Sequence, residues 1–315
     1  MKKFILTGLF FFFLFFLLDK PLILIRNTAP DREIDKRLEW LLKGQLKADI
    51  LIYGSSRGSR DIIASQISDA VKKTAYNLSY PGSGIAFHEF LLSQTLENNN
   101  KKPELVILVV DDPTELLPSS QIHFRLDRLY PLVKYEVVRD KLVEQGGKNY
   151  WLSKLFIIHQ LSISNFDFRQ KYFNRLDTLQ NDGSMPIAFS DPRFTGKFSD
   201  NSDSYHQSKE IPAQVNSFLH FLDLCNRNQI RLIIVSPPNF YKPTTAFFER
   251  IKTLAGNKAS FMCYDTLDNT YVKTADYYYD DVHLKKKGAA LFTAEIIRYI
   301  QTNHLVSAKP AERYR

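Results

Sequence analysis

The feature that most constrains the fold of this 315-residue chain is a series of short, continuously apolar segments, each followed by residues with helical spacing. The clearest is 104–110, Glu-Leu-Val-Ile-Leu-Val-Val, in which apolar side chains do not alternate with polar ones. Strands of this kind are typically buried on both faces, as in a parallel sheet that helices cover on each side. The repeated order of strand and helix therefore predicts an α/β fold with an open, mostly parallel sheet.

Apolar runs predict five strands, at 49–53, 74–78, 104–110, 230–235 and 260–265. Helical spacing predicts helices at 60–72, 87–96, 211–227, 245–255 and 285–303. This order is typical of a three-layer α/β/α sandwich, in which a ligand lies beyond the carboxyl ends of the strands. We therefore expect a functional site to be built from the turns that follow the strands.

The alternation of strands and helices stops after the third strand, and a largely helical insertion is predicted at 113–210. Within it, helical pieces are predicted near 133–144 and 150–163, followed by a polar, aromatic segment at 177–208. An insertion of this length at the carboxyl end of a central strand is typical of a lid over a site. A packing subdomain without a role in catalysis is the alternative interpretation.

The N-terminus has the pattern of an export signal. Lys2 and Lys3 precede an unbroken apolar run from Phe4 to Leu18, and a second apolar patch ends at Ile25. No small-x-small cleavage motif follows, so residues 1–25 are predicted to be an uncleaved transmembrane signal anchor, with a cleaved leader as the alternative. The positive-inside rule then predicts a single pass through a bacterial cytoplasmic membrane, with the rest of the chain facing the periplasm or exterior.

This anchor sets the remaining domain boundaries. Residues 26–48 are predicted to be a juxtamembrane linker or helix, 49–305 the α/β domain with its insertion, and 306–315 a polar C-terminal tail. A domain of this length is more typical of one large α/β core than of two small independent ones.

Charge and cysteine content narrow the class of function. The formal net charge is +8, but Lys and Arg are interleaved with acidic residues and form no basic arm, so no nucleic-acid partner is expected. A mild basic excess suits a position beside anionic lipids or acidic glycans. Cys225 and Cys263 lie far apart without ligand spacing, so neither a zinc site nor a disulfide framework is predicted, although a single disulfide stays open.

Two short motifs carry the candidate chemistry. The turn after the first predicted strand reads Gly54-Ser55-Ser56-Arg57, and Asp280-Asp281-Val282-His283 directly precedes the last predicted helix. A serine hydroxyl needs a neutral imidazole to take its proton, and a carboxylate orients that imidazole. In order and placement, these motifs resemble those of the SGNH/GDSL serine hydrolases. The resemblance implies Ser56 as nucleophile, His283 as general base, Asp280 as the orienting acid, and no cofactor or metal.

The same resemblance implies an oxyanion hole. Its first donor would be the N–H of Ser56, and its second that of Gly82, the last glycine of Asn77-Leu78-Ser79-Tyr80-Pro81-Gly82. This segment is similar to the family's Asn-x-Gly-x-x-Gly block, with Ser79 in place of the middle glycine. The third block departs further, because Asp111 stands where the family has an oxyanion-binding Asn, and an ionised carboxylate repels an oxyanion.

Five further residues are candidates for the substrate site because they lie within or beside these motifs: Arg57, Asn77, Asp111, Asp112 and Tyr279. Some assignments stay open from sequence alone. Asp281 competes with Asp280 for the role of acid, Ser56 at this position is also a common helix N-cap, and His283 also suits a capping or packing role.

The function implied is an exported serine esterase or O-acyltransferase that acts on acyl esters, above all acetyl esters, of cell-surface or secreted glycans, beside a membrane-bound acyltransferase. The alternative from another class is an inactive glycan-binding or assembly protein with the same fold, for which Asp111 is the support. The turn at 54–60 also resembles the phosphate-binding turn of flavodoxin-like FMN proteins, where hydroxyls and N–H groups at a helix N-terminus hold a phosphate.

Overall fold

The computed structural model describes residues 1–110, 113–169, 171–199, 205–242, 244–263 and 274–307. The chain divides into two compact units. One unit consists of residues 1–42 and 125–173, and the other of 43–124 and 174–315. These boundaries differ from those expected from the sequence, because only the middle of the predicted insertion groups with the N-terminal segment.

Five strands form one sheet in the second unit: β1 (Ile50–Tyr53), β2 (Ala75–Asn77), β3 (Leu105–Val109), β4 (Arg231–Ser236) and β5 (Ser260–Cys263). The strand order is β2-β1-β3-β4-β5, and every neighbouring pair is parallel. The α/β class and the five-strand parallel sheet predicted from the sequence are confirmed. The first three strands are slightly shorter than their apolar runs, and β4 has the predicted length but begins one residue later. Residues 264 and 265 of the fifth prediction lie outside the described residues.

The described part of the chain contains thirteen α-helices: α1 (Lys2–Asp19), α2 (Ile23–Thr28), α3 (Arg37–Leu42), α4 (Ser56–Asp61), α5 (Ala64–Val71), α6 (Ile85–Asn98), α7 (Leu126–Leu129), α8 (Glu136–Gly146), α9 (Tyr150–Leu155), α10 (Ile157–Gln160), α11 (Pro212–Arg227), α12 (Thr245–Ala255) and α13 (Lys286–Thr302).

Helices cover the sheet on both faces, which explains why the strands are apolar throughout. Ile50 and Ile52 of β1 point to one face, where they join a core that includes Phe292 of α13 and Ile67 of α5. Tyr53 points to the opposite face, where its ring packs edge-on against a phenylalanine of α11 and its hydroxyl lies 2.9 Å from the Thr95 hydroxyl of α6. On this second face α6 packs against α11, and α11 against α12.

The predicted helix at 60–72 is divided into α4 and α5 by two residues in extended conformation, Ile62 and Ile63. The break is stabilised from distant parts of the chain. The N–H of Ile63 donates to the Thr293 hydroxyl at 3.0 Å, and the N–H of Ala64 donates to the Ser184 hydroxyl at 3.0 Å. Because these partners are far away in the sequence, local helical spacing does not predict the break.

The end of the predicted insertion belongs to the unit that contains the sheet. Its carbonyl at residue 182 accepts the N–H of Asn77 at 2.8 Å, and the N–H of Met185 donates to the Ser59 carbonyl at 2.7 Å. The N–H of Lys286 donates to the Ile187 carbonyl at 2.6 Å. Residues 182–187 therefore run beside β2, α4 and the start of α13.

In the first unit, the segment Lys2–Arg32 is apolar and long enough to cross a membrane, with a mean hydropathy of 2.2 over its most apolar window and little of that window buried. A signal sequence near an N-terminus meets the same criterion. At the other end of the chain, the predicted tail at 306–315 lies outside the described residues from 308 onward.

Candidate active site

Ser56 lies where β1 ends, as the first residue of α4. Glycine is needed just before it, because a Cβ on Gly54 would lie 2.8 Å from the Cβ of Val109 on β3. Ser55 is extended, with φ −79° and ψ −150°, so the chain turns directly from strand into helix. Since β1 has β2 on one side and β3 on the other, this turn opens into the crevice where ligands of open α/β sheets bind.

Ser56, His283 and Asp280 lie together, as the sequence predicts. The Ser56 Oγ is 2.7 Å from His283 Nε2, and His283 Nδ1 is 2.9 Å from Asp280 Oδ2. An ionised carboxylate only accepts hydrogen bonds, so Nδ1 carries the proton and Nε2 is left to accept the serine O–H. Of the two candidate aspartates, Asp280 contacts the imidazole, whereas Asp281 is exposed.

Backbone groups hold the Asp280 carboxylate in place. Its Oδ1 accepts the N–H of Val282 at 2.9 Å and that of His283 at 2.7 Å. Burial alone would raise the pKa of Asp280, but these bonds and the His283 imidazole lower that pKa overall. The acid is therefore an anion at neutral pH, with its second oxygen directed at the imidazole.

The pKa of His283 is lowered, chiefly by burial, which disfavours the charged imidazolium. Asp280 opposes this shift, while the positive charges of Arg60 and Arg57 add to it. The imidazole is consequently neutral at pH 7 and able to accept a proton.

Arg60 is a site residue that the sequence analysis missed. Its Nη1 lies 3.3 Å from His283 Nε2, and its Nη2 donates to Asp177 Oδ1 at 3.0 Å. A guanidinium only donates, so this contact again requires Nε2 to be an acceptor. Helical spacing was the available signal, because Arg60 follows Ser56 by four residues and so lies on the same face of α4.

Asp61 was also missed, and it is fully buried. Its Oδ1 accepts the N–H of Leu284 at 2.9 Å, and its Oδ2 lies 3.6 Å from Arg57 Nε. Arg57 also donates to the Pro238 carbonyl at 3.0 Å. The last residue of α4 thus holds the backbone directly after His283. The guanidinium of Arg57, a predicted substrate residue, is engaged by Asp61 and by the Pro238 carbonyl.

Gly82 lines the same cavity as Ser56 and His283, which has a volume of about 600 Å³. Its φ of +74° is a conformation that favours glycine. The Gly82 turn is tied to the turn before Ser56, because the Tyr80 N–H donates to the Gly54 carbonyl at 3.0 Å. The backbone near Gly82 and the start of α4 therefore face one space.

The rest of the cavity wall is largely polar, and no motif predicted it. Its further lining residues include Thr114, Ser119, Ser120, Gln121 and Tyr241. The Ser119 hydroxyl accepts the N–H groups of Gln121 and Ile122 at 3.0 Å each, which orders the loop. Hydroxyl and amide groups of this kind suit a hydroxyl-rich ligand.

The remaining predicted residues are placed differently. Asn77 is buried, where its Nδ2 donates to the Gly58 carbonyl at 2.8 Å and its Oδ1 accepts the Ser79 N–H at 3.0 Å. Tyr279 packs at 6.5 Å from the His283 ring, measured between ring centroids, on the side of Asp191. Neither is among the residues that line the cavity. Asp111 and Asp112, and with them the question of the third oxyanion block, lie outside the described residues.

Among the residues with described positions, no three His, Cys, Asp or Glu side chains are grouped so as to hold a metal ion. Cys225 is a buried free thiol on α11, and burial raises the pKa of that thiol to about 12.

No protein-family model matches the chain. No curated protein matches it either. Among solved structures, the chain resembles a protein from Bacteroides fragilis described as a "putative acylhydrolase", with 11% sequence identity and a TM-score of 0.41 over 87% of this chain and 98% of the other. Similarity at this level carries no argument about activity.

Proposed function

We propose that this chain is an exported, membrane-anchored serine esterase or O-acyltransferase that works through an acyl-Ser56 intermediate. The observation that carries the proposal is the continuous chain of contacts from Ser56 Oγ through the His283 imidazole to the Asp280 carboxylate, at 2.7 and 2.9 Å. This chain opens into a cavity at the carboxyl end of the sheet. A nucleophile, a neutral base and an orienting acid in this order are the parts that acyl transfer requires.

In the first half-reaction, His283 Nε2 takes the proton of Ser56, and the Ser56 oxygen bonds to the acyl carbon of the ester. The carbonyl oxygen becomes an oxyanion, for which the N–H groups of Ser56 and Gly82 are the proposed donors. The imidazolium then gives its proton to the oxygen of the departing alcohol as the C–O bond breaks. The products are an acyl-Ser56 ester, a neutral His283 and the free alcohol.

In the second half-reaction, His283 takes a proton from water or from an acceptor hydroxyl, whose oxygen attacks the acyl-Ser56 carbon. The proton returns to Ser56 when the acyl group leaves. Water gives an esterase, and a sugar hydroxyl gives a transferase. Arg60 acts in both halves, because a fixed positive charge near Nε2 makes proton uptake by the imidazole less favourable and the later release of that proton more favourable.

The substrate class proposed is an acyl ester of a glycan, above all an acetyl ester. Hydroxyl and amide side chains at Thr114, Ser119, Ser120 and Gln121 line the cavity, and such groups form hydrogen bonds with sugar hydroxyls. The N-terminal apolar helix supports a location at the bacterial cytoplasmic membrane with the site outside, where a membrane-bound acyltransferase would supply acyl groups.

The FMN-binding interpretation of the turn at 54–60 is less well supported. The Ser56 hydroxyl contacts His283, and the Ser59 hydroxyl donates to the Ser56 carbonyl at 2.9 Å. Two of the hydroxyls that would hold a phosphate are therefore directed at partners within the protein.

The test is labelling of the detergent-purified full-length chain with a fluorophosphonate, which reacts with activated serines. Labelling is expected for the wild type and lost in Ser56→Ala and His283→Ala. Ser120→Ala is the matched control, since this serine lines the same cavity but lies outside the contacts with His283, and it should label like the wild type. A folded wild type that neither labels nor hydrolyses a model ester would overturn the proposed activity and favour the alternative of an inactive binding or assembly protein.

A further inference from the structure

One surface outside the proposed site is both strongly apolar and exposed. It is formed by the outward side chains of α9 and α10, and we call it the α9–α10 face: Tyr150, Trp151, Leu152, Leu155 and Ile158. Trp151 is the most exposed of the five, at 72%. Large apolar side chains that cluster on a surface usually mark an interaction site.

The position of this face relative to the apolar helix α1 is set by aromatic packing. Phe156, between α9 and α10, is surrounded by Phe12, Phe15 and Phe16 of α1, with ring centroids 5.7, 5.2 and 6.3 Å away. Phe156 itself is buried. The residue that links α9 to α10 is thus held against the last two turns of α1.

Asp19, the last residue of α1, adds polar contacts at the same place. Its two carboxylate oxygens accept the N–H groups of Ile157 and Ile158, both at 2.7 Å. The neighbouring Lys20 donates to the Leu155 carbonyl at 3.1 Å. Hydrogen bonds to backbone groups and ring contacts together therefore hold α9 and α10 beside the C-terminal part of α1.

This position along α1 corresponds to a definite depth if α1 crosses a bilayer. Asp19 and Lys20 are the first charged residues after the apolar run and lie within the last quarter of the predicted anchor at 1–25, so they lie close to the outer boundary of the hydrocarbon. At about 1.5 Å of rise per residue, Phe12 and Phe16 lie roughly 10 and 5 Å before Asp19 along the helix. Interfacial segments that do not cross the membrane bury their apolar faces to about 5–10 Å, which is the same depth.

We propose that the α9–α10 face lies in the interfacial layer of the bilayer that α1 crosses, so that the chain contacts its membrane through a second, non-spanning element. The occupant of the face is lipid because Phe156, between these helices, contacts the helix that passes through the same lipid. Tyr150 and Trp151 are the residue types that concentrate at this boundary. This inference depends on α1 as the anchor and is independent of the chemistry proposed for Ser56.

The chain contains two tryptophans, Trp40 on α3 and Trp151, which allows a direct test. The full-length chain is reconstituted into vesicles of phosphatidylethanolamine and phosphatidylglycerol, with and without lipids brominated near the headgroup end of the acyl chains. Bromine quenches tryptophan emission only at contact distance. The Trp40→Phe chain, whose emission comes from Trp151, should lose most of its emission to brominated lipid and resist quenching by aqueous iodide.

The Trp151→Phe chain is the matched control, and its Trp40 emission should be reduced by iodide more than by brominated lipid. If Trp40→Phe does not fold, the wild type replaces it in the test. Brominated lipid should then reduce the wild-type emission to about the level of the Trp151→Phe chain, in which only Trp40 emits. Co-flotation of every variant with the vesicles tests the anchor separately. Trp151 emission that is insensitive to brominated lipid overturns the proposal. Quenching by iodide would then show that the ring faces water, and protection from both quenchers would show that a second protein copy covers it.

Discussion

Replacement of Asp280 by Asn should separate chemistry from folding at this site. Both backbone donors, the N–H groups of Val282 and His283, point to the same oxygen, Oδ1. In Asp280→Asn the amide oxygen takes that position, because only an oxygen accepts those two bonds. The amide NH₂ then points at His283 Nδ1, which has to become an acceptor. The proton moves to Nε2, where it faces Ser56, so the base can no longer take the serine proton.

The magnitude follows from what is lost. The loop keeps its two backbone bonds, so the free energy of unfolding should change by less than about 1 kcal/mol. The reactive tautomer and the charge that stabilises the imidazolium are both removed. In the Ser-His-Asp template that amide replacement lowers kcat on the order of 10⁴-fold. At about 1.4 kcal/mol per tenfold change in rate, this corresponds to about 5 kcal/mol of transition-state stabilisation.

The assay is the second-order rate of fluorophosphonate labelling as a function of pH, with thermal unfolding measured in parallel. Asp281→Asn is the matched control, because it makes the same chemical change at the next residue, where the side chain is exposed. We expect the wild-type rate in Asp281→Asn and a rate near background in Asp280→Asn. The reasoning is refuted if Asp280→Asn labels within tenfold of the wild type, or if Asp281→Asn shows the larger loss.

Three further substitutions test other contacts of the site. Arg60→Met removes a positive charge near Nε2 and should raise the pKa of His283, so the rise of labelling rate with pH should shift to higher pH; an unchanged or downward shift contradicts this. Asp61→Ala should lower the free energy of unfolding in urea by about 3 kcal/mol or more, because it removes a buried charge that pairs with Arg57 and accepts the Leu284 N–H. Asp69→Ala on the exposed side of α5 should change it little. Gly82→Ala places a Cβ at φ +74° and should cost about 1–2 kcal/mol of stability, together with a loss of labelling rate that calorimetry and the labelling assay measure separately.

The sheet was predictable from the sequence because its signal is local. Because helices bury the sheet on both faces, both sets of side chains along each strand are apolar, so each strand is visible in the sequence as a short continuous apolar run. The break at Ile62 was not predictable, since the hydroxyls that accept the neighbouring N–H groups come from Ser184 and Thr293. The position of residues 182–187 was not predictable for the same reason. Residues 182–187 look irregular in sequence, yet backbone bonds to distant segments place them beside the sheet.

For the site, motif order and spacing predicted which residues come together but not how they are supported. The choice between Asp280 and Asp281 depended on which carboxylate turns toward the imidazole, and that is decided by backbone N–H groups of the same loop. Arg60 carried a readable signal, its spacing of four from Ser56. Ser119 and Ser120 carried no such signal, because whether a loop lines a cavity depends on where the tertiary structure places its two ends.

The six-residue helix α4 relates the proposed nucleophile to the proposed base. It begins with Ser56 and ends with Asp61, whose carboxylate accepts the N–H of the residue directly after His283. The rise of one short helix therefore separates Ser56 from the side chain that holds the backbone directly after His283. Since Asp61 is buried and does not line the cavity, its loss should misplace His283 without removing any side chain that lines the cavity. The first residue of α4 is thus the proposed nucleophile, Ser56, and its last residue, Asp61, positions the proposed base, His283.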